Sequence, residues 1–388
     1  MILFNVLVTD MNLMKFQNKA INVLSKINYK VAFRILNKRR KVNANNRVSG
    51  KHRIPLTKEE KKEFKMVWNK ACGGGGWCGD AESISHEFYK GFGVPFDAKN
   101  VPNDYYDFAE HVLNLRWSSF FLQHKCNLKY IIPEKNRPKT ILEKIDGHYM
   151  FEDNTEISLE EATQILKSKD TFICKVALGL GGGRGVKKVC WTKETKTDHL
   201  LQELLKPEDL VFQEVVSQSD FMANFNPDSV NTFRLVTLNI NGKCSVLSSF
   251  VRMGAKGSFV DNLCTGGGAL VGINQNGYLH DFGIRKDYSK CYETPTGLPF
   301  KGMQVPDWNY IKEKVIDFHQ HIPYANLVGW DITIDKEGEP IVIEINLDSA
   351  EIEAHQIFNG PFFGERFDEV RDYIENKRPL LRHAMITY

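Results

Sequence analysis

The chain has 388 residues, 42% hydrophobic and 26% charged, and its 51 Lys and Arg against 48 Asp and Glu leave a net charge of +3. That length and apolar content build a substantial core, as one large domain or two or three smaller ones. No run approaches the roughly 18 uninterrupted apolar residues of a membrane span, which excludes a hydropathic transmembrane helix. The eight cysteines, among them Cys174, Cys190, Cys244 and Cys264, lack the paired spacing of a zinc site or a disulfide scaffold. Cys72 and Cys78 bracket Gly73 to Gly76 at a separation unlike zinc spacings, so a flexible loop is expected there. The opening Met1 to Val8 is short and has no basic leader, and a cytoplasmic protein is expected.

The charge is unevenly spread. From Lys15 to Arg53 there is no acidic residue. At helical period Ala20, Leu24, Ile27, Val31 and Ile35 share one side, with Lys19, Lys26, Lys30 and Arg34 on the other. This basic amphipathic helix either docks its apolar stripe on the body of the protein or lies on an anionic membrane surface, at the inner face. Nucleic acid is not expected, since no recognition motif accompanies it. After a polar linker, Lys41 to Lys51, Thr57 and Glu60 form a capping-box signal for a helix over Lys58 to Asn69. Further helices are predicted near Ala81 and over Asn103 to Leu122. Beyond about residue 125 the pattern changes to short strands with helices at Leu159 to Lys169 and Asp307 to His319. Strands are predicted at Phe172 to Val176, Val186 to Trp191, Leu210 to Val216, Phe233 to Ile240 and Cys244 to Arg252, the last two joined by the hairpin signal Asn241-Gly242. The absence of regular βαβ alternation predicts an α+β fold.

Three stretches carry chemistry. Lys175 ends a strand that enters the glycine-rich loop 179–185, including Gly181, Gly182 and Gly183. Such a loop lets backbone N–H groups approach phosphate oxygens, though a plain hairpin turn reads the same way. The segment is neither a P-loop nor a dinucleotide fingerprint, because no Gly-Lys-Ser/Thr follows and a strand comes next. Asp209 to Asp220 is a strand running into a polar connection. There Glu214 and the Val216 backbone could meet an adenine edge, with Gln218 or Asp220 reaching ribose hydroxyls. Near the C-terminus a predicted hairpin, 329–346, carries Asp331 on one strand and Glu344 and Asn346 on the other. Alternation puts Glu344 and Asn346 on one face and Ile341, Ile343 and Ile345 on the opposite, core face. Oxygen ligands of this kind suit Mg²⁺, although a solvated polar face gives the same pattern. His319 and His321, two apart on a helix, do not face one target and read as structural or solvated.

In this order the motifs resemble the ATP-grasp enzymes, and within them the sugar-transfer associated ATP-grasp proteins. The resemblance runs over roughly residues 100 to 365. It passes through Pro102-Asn-Asp-Tyr-Tyr106, Lys125, Ile145-Asp-Gly147, Lys175 and its loop, Gln213-Glu214, Asn231 to Thr237, Arg252 to Asn262 and Gly266 to Gly268. It ends in Gly329-Trp-Asp331 and Glu344-Ile-Asn346. It implies an ATP-grasp fold, two α+β subdomains clamping ATP, with an N-terminal helical extension. The implied division is 1–60 for the basic helix and linker, 61–124 for a helical region and 125–388 for the ATP-grasp domain, with a nucleotide lid at about 150–215 and a metal and acceptor part at about 216–388.

By the same resemblance Lys125, Lys175, Gly181, Gly182, Gly183, Gln213, Glu214, Val216 and Asp220 would bind ATP. Asp331, Glu344 and Asn346 would hold Mg²⁺, two ions, with Mn²⁺ as an alternative. Arg234 and Arg252, with Lys175, would act on the transferring phosphate or orient an acceptor carboxylate, ordinary salt bridges being the other reading of the arginines. The implied reaction activates a carboxylate as an acylphosphate for attack by an amine in surface polysaccharide or glycoconjugate synthesis, with a uronic-acid sugar as one candidate acceptor. A kinase acting on a sugar-type acceptor and a nucleotide-binding scaffold are the alternatives. The sequence departs from the family pattern at Lys175-Val176 (for Lys-Pro), at His124-Lys125 (for Asp-Lys) and at Leu347 to Glu351 (for a Pro-Gly turn), the last on the acceptor side.

Overall fold

Thr57 closes the first described helix with the capping box its sequence predicts. Its Oγ1 accepts from Glu60 N–H at 3.2 Å, and the Glu60 carboxylate accepts from Thr57 N–H at 2.7 Å. The computed structural model describes residues 50–71, 83–114, 116–178, 185–190, 204–258, 268–348 and 351–384, with isolated positions between 42 and 50. The basic segment from Lys15 therefore lies almost wholly outside the described residues, as does the Cys72 to Cys78 loop. Helices α1 (Lys58–Ala71), α2 (Ile84–Phe92), α3 (Asn103–Leu113) and α4 (Arg116–Gln123) come first in the chain. No helix among the described residues is long and apolar enough to cross a membrane.

The chain divides into two compact units, one of residues 1–112 with 365–388 and one of residues 113–364. In the first, Trp68 of α1 is fully buried. It donates its indole N–H to the Ala98 carbonyl at 2.7 Å and meets Phe367 edge-on, at the start of the C-terminal helix Phe367–Ala384. The second unit holds the candidate site. The helix expected over Asn103 to Leu122 is broken at Asn114 into α3 and α4. The Asn114 amide is spent on backbone elsewhere: Nδ2 donates to Leu327 O and Leu347 O at 2.7 and 2.8 Å, and Oδ1 accepts from Asn326 and Leu327 N–H.

Among the described residues, two antiparallel sheets make the body of this unit. The first comprises β1 (Thr140–Ile145), β2 (His148–Met150), β3 (Glu156–Ile157), β4 (Thr171–Val176), β5 (Val186–Cys190) and β6 (Leu210–Gln213), in the order β3-β2-β1-β6-β4-β5. Leu142, Phe172 and Phe212 pack against Ala162 and Leu166 of helix α5 (Leu159–Lys167), which opens with a Ser158–Glu161 capping box. The strand predicted to reach Val216 stops at Gln213. Its pairing with β1 ends at Thr140, one last bond runs from Glu214 N–H to Lys139 O, and Pro138 has no N–H to extend the ladder.

The second sheet has seven strands: β7 (Thr232–Ile240), β8 (Lys243–Met253), β9 (Ala269–Ile273), β10 (Leu279–Arg285), β11 (Lys290–Cys291), β12 (Leu327–Ile334) and β13 (Pro340–Asn346), ordered β11-β10-β9-β8-β7-β12-β13. Asn241 and Gly242 join β7 and β8 with both φ angles positive, 54° and 79°, as a tight primed turn requires. Phe233, Leu235, Trp330, Ile332, Val342 and Ile345 form one face, packed on Trp308, Ile311, Val315 and Phe318 of helix α7, which follows the short α6 (Asp220–Ala223) and spans Trp308–Gln320. Helix α8 (Ile352–Asn359) covers the other face, with His355 beside Phe250. Gly272 permits that approach, since a Cβ there would overlap the Phe358 side chain. Simple alternation along β13 does not hold. Asp331 pairs with Glu344 but Ile332 pairs with Val342, so Ile343 is an extra residue in the strand. The bulge turns Val342 into the core with Ile345 and leaves Ile343 only half-buried, correcting the expected Ile341, Ile343, Ile345 face.

Candidate active site

Directly opposed residues on neighbouring strands share a face. Phe250 (β8) faces Arg234 (β7), Arg234 faces Asp331 (β12), and Asp331 faces Glu344 (β13). Arg252 lies two residues beyond Phe250 on the same side of β8. The topology thus lines up a row of charged side chains on the face of α8, from strands far apart in sequence. Arg234 donates to Asp331 through Nε at 2.5 Å and through Nη2 at 3.1 Å, a two-point contact, and Arg252 Nη1 approaches Asp331 Oδ2 at 3.3 Å. All three side chains are buried. Burial alone would push the Asp331 carboxyl up, but the Arg234 and Arg252 guanidiniums outweigh it and bring the carboxyl down to about 2. For Arg234, burial works against the charge and the Asp331 carboxylate more than restores it, so its pKa rises. The ordinary surface salt bridge is thereby replaced, for both arginines, by a buried cluster.

Asn346 joins this row by donating Nδ2 to Asp331 Oδ2 at 3.4 Å, and Lys125 Nζ stands 3.3 Å from Glu344 Oε2. Lys125 opens a 3₁₀ turn, Lys125–Tyr130, and its backbone N–H donates to the carbonyl of Ala177, just past β4, at 2.9 Å. One residue therefore ties the end of the Lys175 strand to the Glu344 strand. Its neighbour His124, where the family pattern has Asp, lies 3.2 Å from Asp209, whose other carboxylate oxygen accepts from Asp146 N–H at 2.8 Å. Nothing in the sequence pattern pointed to Asp209.

The remaining residues lie along the first sheet. Lys175 is buried on β4, opposite Val211 of β6 and Val186 of β5. Gln213 is buried at the end of β6, Val216 is half-buried and Asp220 is exposed. Glu214 is held by Lys169 at 3.1 Å and Lys139 at 3.4 Å, and the hydrogen bond from Lys169, aided by Lys139, lowers its pKa. Gln218 is not available to a ribose: its amide donates to Asn226 O and Ser229 O and accepts from Asn231 N–H, fixing the connection before β7. Gly181, Gly182 and Gly183, like Asn262, Gly266 and Gly267, lie outside the described residues. On the opposite face of the sheet Trp330 Nε1 donates to Thr237 Oγ1 at 2.7 Å. Thr237 is 2.6 Å from His319 Nδ1, and His319 Nε2 is 3.0 Å from Ala325 O. With the threonine hydroxyl donating to Nδ1, His319 carries its proton on Nε2. Burial lowers its pKa to about 4.

The donor set fits a divalent cation of the Mg²⁺ kind. It offers two carboxylates and, because the Asn346 amide uses its nitrogen on Asp331, an amide oxygen. No three His, Cys, Asp or Glu side chains among the described residues form a metal cage by themselves. Mg²⁺ needs no such cage, since it takes further ligands from phosphate and water.

Two antiparallel sheets, with Lys175 on one and the acid–amide hairpin on the other, have the arrangement expected of an ATP-grasp protein, an ATP-binding fold. The sugar-transfer associated ATP-grasp family matches residues 144–372, and the chain belongs to that family. Solved structures to which the chain is similar include D-alanyl-alanine synthetase A from Vibrio cholerae (14% identity, 66% of this chain and 65% of that one, TM-score 0.39). They also include D-alanine-D-alanine ligase from Coxiella burnetii (10% identity, 68% and 61%, TM-score 0.36) and biotin carboxylase from Campylobacter jejuni (12% identity, 66% and 46%, TM-score 0.40). The chain spans less than two thirds of the length of each. No curated protein matches the sequence.

Proposed function

We propose that this protein is an ADP-forming ligase that activates a carboxylate as an acylphosphate for attack by an amine, in the assembly of a surface polysaccharide or glycoconjugate. The observation that carries the reading is the row Arg252–Arg234–Asp331–Glu344, with Lys125 bridging from the Glu344 strand to the end of the Lys175 strand. Phosphoryl transfer asks for positioning and charge neutralisation rather than covalent help, and this row supplies both signs of charge, buried at Arg252, Arg234 and Asp331 and partly exposed at Glu344.

In this reading Lys125 and Lys175 hold the phosphates, and the 179–185 loop closes over them. Gln213, Glu214, the Val216 backbone and Asp220 take the adenosine part. Asp331, Glu344 and the Asn346 oxygen hold Mg²⁺, which neutralises charge on the phosphates. An acceptor carboxylate oxygen attacks the γ-phosphorus as the bond to ADP breaks. The amine then attacks the carbonyl carbon, forming the amide and releasing phosphate. Arg234 and Arg252 orient the acceptor and stabilise the transferring group. The working division remains a lid at about 150–215 and a metal and acceptor part at about 216–388. The test is mass spectrometry of products after incubation with ATP, Mg²⁺ and pooled uronic acids and amino acids. An amide with free phosphate is expected; a phosphorylated acceptor without amide would make the protein a kinase instead.

A further inference from the structure

Glu351, the last residue of the departure Leu347 to Glu351, has no role in the family motifs, yet its carboxylate reaches the arginine pair. It stands at the N-terminus of α8 with φ 55°, in the left-handed region that side-chain-bearing residues rarely adopt. Its Oε2 lies 3.7 Å from Arg234 Nη1 and 3.9 Å from Arg252 Nη1. Both distances are those of an ion pair and longer than a hydrogen bond. The same oxygen is shielded from solvent and has no hydrogen-bond partner. A desolvated carboxylate oxygen beside two guanidiniums would ordinarily be drawn into short, charge-assisted bonds. Here the backbone of α8 holds it just too far away. The Glu351 carboxylate is itself the planar, singly charged group in front of the two Nη1 atoms, beside the Asp331 and Glu344 row.

We propose that Glu351 holds the place of the acceptor's carboxylate. The Nη1 groups of Arg234 and Arg252 form a carboxylate subsite, the acceptor enters it by displacing Glu351, and Glu351 sets how strongly an acceptor must bind to do so. The proposal rests on the ligase reading, in which the acceptor is a carboxylic acid. It gives chemical content to the departure at Leu347 to Glu351, where the chain replaces a Pro-Gly turn with a segment ending in an acid.

The test is calorimetric titration of the full chain with acetate as the probe and inorganic phosphate as the comparison, without ATP. Glu351→Gln keeps the side-chain shape, and Glu351→Asn suits the left-handed backbone. Both are expected to bind acetate about fivefold to tenfold more tightly than wild type, the size of effect that follows from removing a competing like charge. Phosphate binding is expected to gain less, and adding Arg252→Met to Glu351→Gln is expected to abolish the acetate gain. Unchanged or weaker acetate binding in both single variants overturns the proposal, and a lowered melting temperature alongside it identifies a structural ion pair. A gain for phosphate but not acetate overturns the carboxylate assignment, and a gain that survives the second substitution places binding elsewhere. Because no ATP is present, failure here leaves the amide-forming assay untouched, and failure of that assay leaves these titrations interpretable.

Discussion

Asp331 is buried between two arginines and offsets part of their charge, and that makes its side chain structural as well as chemical. Removing one partner of a buried ion cluster leaves the others without compensation. Asp331→Ala is therefore expected to cost about 3–5 kcal/mol of stability, measured by urea unfolding, before any loss of activity is considered. Glu344 differs. It is partly exposed, with the Lys125 ammonium at 3.3 Å and a side-chain hydrogen bond to Asp331 beside it. Glu344→Gln is expected to leave the melting temperature close to wild type and to abolish ATP consumption in the presence of an authentic acceptor. Turnover at the wild-type rate in that variant would remove Glu344 from the metal set. The two acids, a single pair in the sequence motif, are thus separable by their surroundings.

At the scale of elements, the seven-stranded sheet is covered on both faces by different means. Helix α7 buries a broad apolar face, whereas α8 approaches through the notch left by Gly272. Gly272→Ala is expected to destabilise the protein by about 1–3 kcal/mol through overpacking against Phe358. Because Glu351 immediately precedes α8 as its N-cap, the same substitution is expected to move the carboxylate at the arginine pair. Hydrogen exchange over 351–359 measures the first consequence at the level of the element. The hairpin of β12 and β13 was legible from its alternation, and the turn at Asn241-Gly242 from its residue types. The bulge at Ile343 was not, because it arises from pairing with β12 and no local preference marks it. Nor was the break at Asn114, whose amide is captured by backbone more than two hundred residues away.

At the scale of the whole molecule, two buried histidines make stability depend on pH between their ordinary 6.5 and about 4. His319 is brought to about 4 by burial, below its ordinary 6.5, and His86 in the other unit is lowered likewise. A histidine whose folded pKa is depressed is protonated first in the unfolded chain. Its contribution is complete above pH 6.5 and is lost as pH falls toward 4, at about 1.4 kcal/mol per unit. Asp331, also depressed, contributes fully above its ordinary 3.8 and loses that contribution progressively as pH falls from there to about 2. Urea unfolding at pH 7 and pH 5 is expected to show a difference smaller by about 2 kcal/mol in His319→Asn than in wild type. The basic segment is addressed by deleting residues 1–53 and pelleting with anionic vesicles. Reduced pelleting supports attachment to a membrane surface, and equal pelleting supports docking on the protein.

By itself the sequence determined the α+β class, the strand-rich body after residue 125, the hairpin of Asp331, Glu344 and Asn346, and the family, because periodicity, turn residues and motif order are local or ordered along the chain. Only the tertiary structure decided what those residues meet. Lys125 beside Glu344, Asp331 between Arg234 and Arg252, and Glu351 in front of the arginine pair join positions up to some two hundred residues apart. Such charges find one another through strand order and register, and an unpaired charge in the sequence carries no mark of the partner that burial will give it.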